Sequence, residues 1–153
     1  MRVLHLPSSD IIVVLIAIKY INMLSILVTA TVLFIFGALW YTVMFGRMWA
    51  RLMEFTPEQM AKGKEKGMTK PLIINFLLNV VTASVLYYVF PLLIALSLAE
   101  FIKIVLIVCV GFTLPQYVNQ TLWESKSWKL IVLNSVHAVL YFGIGATVVY
   151  LMQ

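Results

Sequence analysis

An all-α, polytopic membrane protein with four transmembrane helices is the fold class this sequence predicts, and three observations predict it. Hydrophobic residues make up 63% of the 153-residue chain and charged residues only 11%, with a strongly positive mean hydropathy. A soluble domain has no way to hide that much apolar surface. Four stretches, Tyr20 to Gly46, Pro71 to Ala99, Ile104 to Trp123 and Leu130 to Gln153, contain no Asp, Glu, Lys or Arg, and each is at least twenty residues long. About twenty residues, at roughly 1.5 Å of rise each, cross a hydrocarbon core about 30 Å thick. The basic residues, finally, gather between these stretches.

Span one is expected from about Asn22 to Phe45. The chain ahead of it, residues 1–21, reads as an N-terminal extension, external or interfacial. Its apolar run Ile11 to Ile18, between Arg2 and Lys19, resembles the middle of a signal peptide. No small-residue cleavage site precedes the next span, so no cleavage is expected. Span two runs from about Leu72 to Phe90, where Pro91 disfavours helix for the residue before it. Leu92 to Phe101 then forms a short interfacial connection carrying Glu100. Span three is placed at about Ile102 to Leu122 and span four at about Leu130 to Met152, so residues 22–152 make one transmembrane domain. The single cysteine, Cys109, falls inside span three and excludes an internal disulfide.

The first connection is predicted to hold a short basic helix. Thr56-Pro57-Glu58-Gln59 has the order of a capped start, with Thr56 as N-cap, Pro57 at the first helical position and Gln59 closing a capping box. Glu58 and Lys62 are four apart, Gly67 marks the stop, and Gly63 weakens the helix by about 1 kcal/mol relative to alanine.

Basic residues near span ends stay in the cytoplasm. Arg47, Arg51, Lys62, Lys64, Lys66 and Lys70 lie in the first connection, and Lys126 and Lys129 in the third. Both connections are therefore expected inside, with both termini external, in a cytoplasmic (inner) membrane. Trp49, Trp123 and Trp128 read as interfacial anchors at the inner face. Tyr20, Tyr87, Tyr88 and Tyr150 fall near the outer one. The six basic residues of the first connection suit anionic lipid, although topology alone accounts for them as well. Nucleic acid is not an expected partner, because the membrane already demands this charge; a homo-oligomer is compatible with the sequence.

Polar side chains within spans carry the functional information, since hydrocarbon offers them no water. Taking 100° per residue, Asn75, Asn79 and Thr82 share a face of span two, Thr113, Gln116 and Gln120 of span three, and Asn134, His137 and Tyr141 of span four, in line with Gly145. The three stripes are expected to face a common interior. Asn79 and His137 lie about 12 Å from the cytoplasmic ends of their spans, with Gln116 slightly shallower. Interhelical hydrogen bonding is one account of these amides, at about 0.6 and up to about 1.7 kcal/mol each. The other is a cytoplasm-facing pocket of Asn75, Asn79, Gln116, Gln120, Asn134, His137 and Tyr141 for a small polar molecule, an ion or a lipid headgroup. His137 suits proton coupling by its ordinary pKa and equally suits a neutral packing role. No metal site, cofactor or enzymatic activity is expected, because the spans hold no acid and no His beyond His137, and the one thiol, Cys109, stands by itself on span three.

The stretch GALWYTVMFGRMWARLMEFTPEQMAKGKEKGM at residues 37–68, with LWESKSWKLIVLNSVHAVL at 122–140, resembles the small prokaryotic membrane proteins grouped as domain of unknown function 1761. The resemblance covers about residues 22–152. Trp40, Tyr41, Phe45, Gly46, Trp49, Gly111, Asn119, Trp128, Lys129, Asn134 and His137 stand at its pattern positions. It implies four spans and brings no established activity. Members of that family tend to begin near what is Asn22-Met23 here, so residues 1 to 20 are either a real extension or precede a natural start at Met23.

The expected function is binding or transport of a small solute or lipid headgroup in that pocket. The alternative is a non-transporting accessory or scaffold protein that packs against another membrane protein.

Overall fold

The computed structural model describes residues 8–89 and 97–152, with side chains from residue 22 onward. The Pro91 boundary, the first half of the Leu92 to Phe101 connection and the Lys64 side chain lie outside the described residues. In chain order the elements are α1 (Ser8–Ala38), a π turn (Leu39–Met44), α2 (Gly46–Leu52), α3 (Pro57–Glu65), α4 (Thr69–Val89), α5 (Leu98–Val108), a second π turn (Cys109–Thr113), α6 (Leu114–Trp123) and α7 (Trp128–Leu151). Among the described residues there is no strand. Four segments are long and apolar enough to cross a membrane: Asn22–Met44, Thr69–Val89, Leu98–Trp123 and Trp128–Leu151. This is a four-span, all-α membrane protein. The backbone of residues 8–21 is helical and continuous with span one, adding about 21 Å of helix ahead of Asn22.

The short basic helix forms as its local sequence dictates. Thr56 N–H donates to Gln59 Oε1 at 2.9 Å and Gln59 N–H to Thr56 Oγ1 at 3.2 Å, a complete capping box ahead of Pro57. Gly67, at φ +76°, takes the left-handed conformation that stops it. A second capping box moves a boundary. Ser97 N–H donates to Glu100 Oε2 at 2.8 Å, and Glu100 N–H donates to Ser97 Oγ at 3.4 Å. Span three therefore starts at Leu98, four residues before Ile102, and Glu100 belongs to its first turn instead of a connection.

Both π turns have local causes or consequences. In span three the Leu114 N–H reaches back to Cys109 O, five residues away, directly ahead of Pro115, which has no N–H to give. In span one Phe45 N–H bonds Trp40 O at 2.9 Å. A Cβ on Gly46 would sit 3.0 Å from Tyr41 O, so this tight turn is built around a residue without one.

In the bundle α1 packs against both α4 and α7, and α7 packs in turn against α5, the second π turn and α6. Gly145 permits the closest approach: a Cβ there would lie 2.8 Å from Leu86 Cδ1 and 3.4 Å from two Leu33 carbons. The arc of Asn134, His137 and Gly145 thus faces the interior. Thr29, Thr31, Thr42, Thr82, Ser84 and Thr147 satisfy their hydroxyls on carbonyls four residues earlier in their own helices. They need no interhelical partner, so the amides are the groups that must find one.

The first and third connections lie at the same end of the bundle. Lys126 Nζ stands 3.4 Å from Met53 O and 3.4 Å from Glu54 Oε2, joining the two. Both segments end in Schellman motifs: Phe55 N–H bonds Ala50 O and Lys126 N–H bonds Thr121 O. Glu54 (φ 60°) and Ser125 (φ 53°) occupy the left-handed positions where glycine is usual. Each costs about 1–2 kcal/mol relative to a right-handed conformation. This end is the basic end below.

Candidate functional site

Between α1, α4 and α7, toward the basic end, lies a cavity of about 310 Å³ whose polar lining is Tyr41, Asn75, Asn79, Thr82, His137 and Tyr141. Asn79 is its hub, buried to 5% exposure. Tyr141 OH donates to Asn79 Oδ1 at 2.7 Å, and Asn79 Nδ2 donates to Asn75 O at 2.8 Å and to Asn75 Oδ1 at 2.7 Å. A backbone carbonyl only accepts, so the Asn79 amide has one orientation, nitrogen toward Asn75 and oxygen toward Tyr141. The Asn75 oxygen is then engaged and its two N–H groups are left as the outward end of the chain. Asn75 itself is exposed. No Asp or Glu lines this cavity.

A smaller cavity of about 220 Å³ adjoins it, nearer the third connection, lined by Trp49, Tyr117, Gln120, Glu124, Lys126 and Asn134 among others. Tyr41 lines both cavities. Its hydroxyl donates to Asn134 Oδ1 at 3.0 Å, which leaves the Asn134 amide nitrogen free to donate.

His137 sits within a cluster of aromatic rings. Phe36 stacks on it at 5.3 Å with planes 10° apart, and Tyr41, Tyr141 and Trp40 lie at 4.8, 5.6 and 5.7 Å between ring centroids. Its Nε2 and the Trp40 Nε1 are buried without a hydrogen-bond partner among the described residues. Gly37 faces that nitrogen from α1, where a Cβ would stand 3.8 Å away. Among the described residues no three His, Cys, Asp or Glu converge on a common point.

The residues expected in one pocket are distributed over three environments. Asn75, Asn79, His137 and Tyr141 line the larger cavity, while Asn134 and Gln120 line the smaller one. Gln120 Nε2 also donates to Glu124 Oε1 at 2.9 Å. Gln116 differs from expectation: it is exposed on α6 and lines neither cavity. The stripe of span three points partly away from the interior: α6 packs on α7 and turns Tyr117, Gln120 and Thr121 toward the smaller cavity, while Gln116 stays exposed. Trp123 and Trp128 are 84% and 62% exposed. Trp49 turns inward instead, stacking edge-on against Tyr41 and against Phe55, the residue that follows left-handed Glu54. Arg47, Arg51, Lys62, Lys66 and Lys70 are exposed.

The aromatic half of the site, Phe36, Trp40 and Tyr41, is absent from a reading based on amides. Span one has no amide beyond Asn22, so its contribution is made by rings. The spacing of Phe34, Gly37 and Tyr41 at three and four residues was the available signal.

The chain matches the family model described as protein of unknown function (DUF1761) over residues 24–150, and it belongs to that family. Comparison with curated proteins and with solved structures gives no match.

Proposed function

We propose that this member of the family is a non-enzymatic multi-pass protein of the cytoplasmic membrane that binds or transports a small polar solute or a lipid headgroup. One observation carries this reading: a directed hydrogen-bond chain, Tyr141 to Asn79 to Asn75, ends in free N–H groups at a 310 Å³ cavity. Such a volume suits a small ligand. With no carboxylate in the lining, its free donors suit a ligand group rich in acceptors, such as a carbonyl, carboxylate or phosphoryl oxygen. The basic end faces the cytoplasm in this reading, both termini are external, and Arg47, Arg51, Lys62, Lys64, Lys66 and Lys70 attract anionic solute or lipid toward the opening.

The test is water accessibility from a defined side, in a Cys109→Ala background. A cysteine at Asn75 is expected to react with impermeant thiol reagents applied to the cytoplasmic face, and a cysteine at Leu86 is expected to stay protected. Reaction of Asn75→Cys only from the outer face reverses the orientation. Equal protection at both positions means the stripes are packed dry, and the second reading then leads.

That second reading is a non-transporting accessory protein that packs against another membrane protein. An exposed amide outside both cavities, that of Gln116, is compatible with it.

A further inference from the structure

Span three is the least buried of the four, yet it carries the longest run of amides. Pro115, Gln116, Asn119, Leu122 and Trp123 are all exposed on α6 and fall within an arc of about 120° at 100° per residue. Asn119 Oδ1 is engaged by Trp123 Nε1 at 3.0 Å and Gln120 by Glu124, so both close their hydrogen bonds along their own helix. Gln116 makes no hydrogen bond among the described residues.

Depth makes this costly. Gln116 stands seven residues before Trp123, hence about 10 Å inside the level of that interfacial ring. Helical Cα–Cβ bonds tilt toward the N-terminus, and span three runs from Leu98 toward the basic end. The Gln116 side chain therefore leans toward the bilayer centre and away from the nearer surface, so it does not snorkel out. Polar groups at such depth face protein or a water-filled cavity.

We propose that the exposed face of α6 is the interface with a second copy of this chain, closed by a Gln116 pair across a two-fold axis. A primary amide is self-complementary: Gln116 Oε1 accepts from the partner's Gln116 while its own Nε2 donates back, which is what an isologous contact requires. The unpaired group carries its own match, with no other protein needed. This inference is independent of the cavity reading, since Gln116 lines neither cavity.

The test uses the full chain in membranes with Cys109 replaced by alanine. Oxidative cross-linking of Gln116→Cys and Asn119→Cys is expected to give a dimer well above that from Val132→Cys, an exposed position on α7. In lipid vesicles, energy transfer between labelled copies is expected to weaken in Gln116→Leu by about 3- to 20-fold in association constant, and to survive in Gln116→Asn. Cross-linking no stronger at Gln116 than at Val132 overturns the proposal, as does single-step photobleaching. A monomer whose Gln116→Cys reacts with water-soluble reagents assigns the residue to a hydrated groove. Cross-linking to a different protein assigns the face to a heteromer, and either result overturns the second copy.

Discussion

Toward the basic end, facing helices meet through Tyr41–Asn134 and Tyr141–Asn79 hydrogen bonds around an amide-lined volume, whereas beyond Thr82 Leu86, Phe101, Val105, Ala146 and Val149 form an apolar cluster beside a largely apolar cavity of about 280 Å³. In lipid no hydrophobic force favours one apolar contact over another, so the far half is held mainly by dispersion and close fit, with Ser25 Oγ donating to Met152 O at 3.3 Å between α1 and the end of α7. Its requirement is therefore steric, and Gly145 meets it. The near half has polar groups that must be paired, so its cavity is lined by amides and hydroxyls, while that of the far half is lined mainly by aliphatic and aromatic side chains. The two halves differ in what lines their open volume more than in having it. The far end is not without polar contacts, since Tyr87 OH donates to Asn22 Oδ1, but that bond lies at the rim.

The contrast predicts a ranking of substitutions. Gly145→Val should have the largest effect, because its Cβ meets Leu86 at 2.8 Å and Leu33 at 3.4 Å. A loss of about 1–3 kcal/mol in detergent-denaturant unfolding is expected, and a neutral result would mean the far half is as loosely packed as the near half.

Asn79→Leu comes next. It removes the acceptor of Tyr141 and the donor to Asn75 together, at about 0.6–1.7 kcal/mol for an interhelical bond in a membrane. Its stability cost should fall below that of Gly145→Val, while the cysteine at Asn75 changes its reactivity because the amide chain behind it is broken. A cost exceeding that of Gly145→Val would make the hydrogen bonds, and not the far packing, the main tie of the bundle.

Tyr41→Phe should have the smallest effect on stability, about 0.6 kcal/mol, because only the bond to Asn134 is lost and the ring contacts to His137 and Trp49 remain. It frees the Asn134 oxygen as an acceptor beside the smaller cavity. If Tyr41 is the partition between the two volumes, thiol reactivity of a cysteine at Gln120 should be unaltered in this variant, since the ring still blocks the passage. A marked rise would show that the hydroxyl anchor, more than the ring, keeps the cavities apart.

Lys126 offers no comparable lever. Its contact with Glu54 is 3.4 Å long and Glu54 is 69% exposed, so screening by water leaves little net stabilisation.

What the sequence by itself determined is everything set by local chemistry and by the membrane as solvent. Span count follows from charge-free length, and the Thr56–Gln59 box and Gly67 stop depend only on neighbours a few residues apart. The Ser97–Glu100 box was equally local, a Ser-x-x-Glu ahead of an apolar run, and was legible there although the sequence reading started the helix later. The lining of Asn75, Asn79, His137 and Tyr141 was legible too, because periodicity places each on one face and hydrocarbon forbids that face to lipid. Periodicity does not say which neighbour a face meets. Gln116 has the same spacing logic as Asn79, yet the way α6 packs on α7 leaves that amide exposed. Trp49 has the composition of an anchor, yet left-handed Glu54 brings Phe55 back against it and the ring packs inward. The aromatic rings around His137, contributed by α1, its π turn and α7, exist only once α1 lies across α7. Helix-to-helix docking is a sum over many weak contacts that no short window of residues contains, and so it was the tertiary structure that decided it.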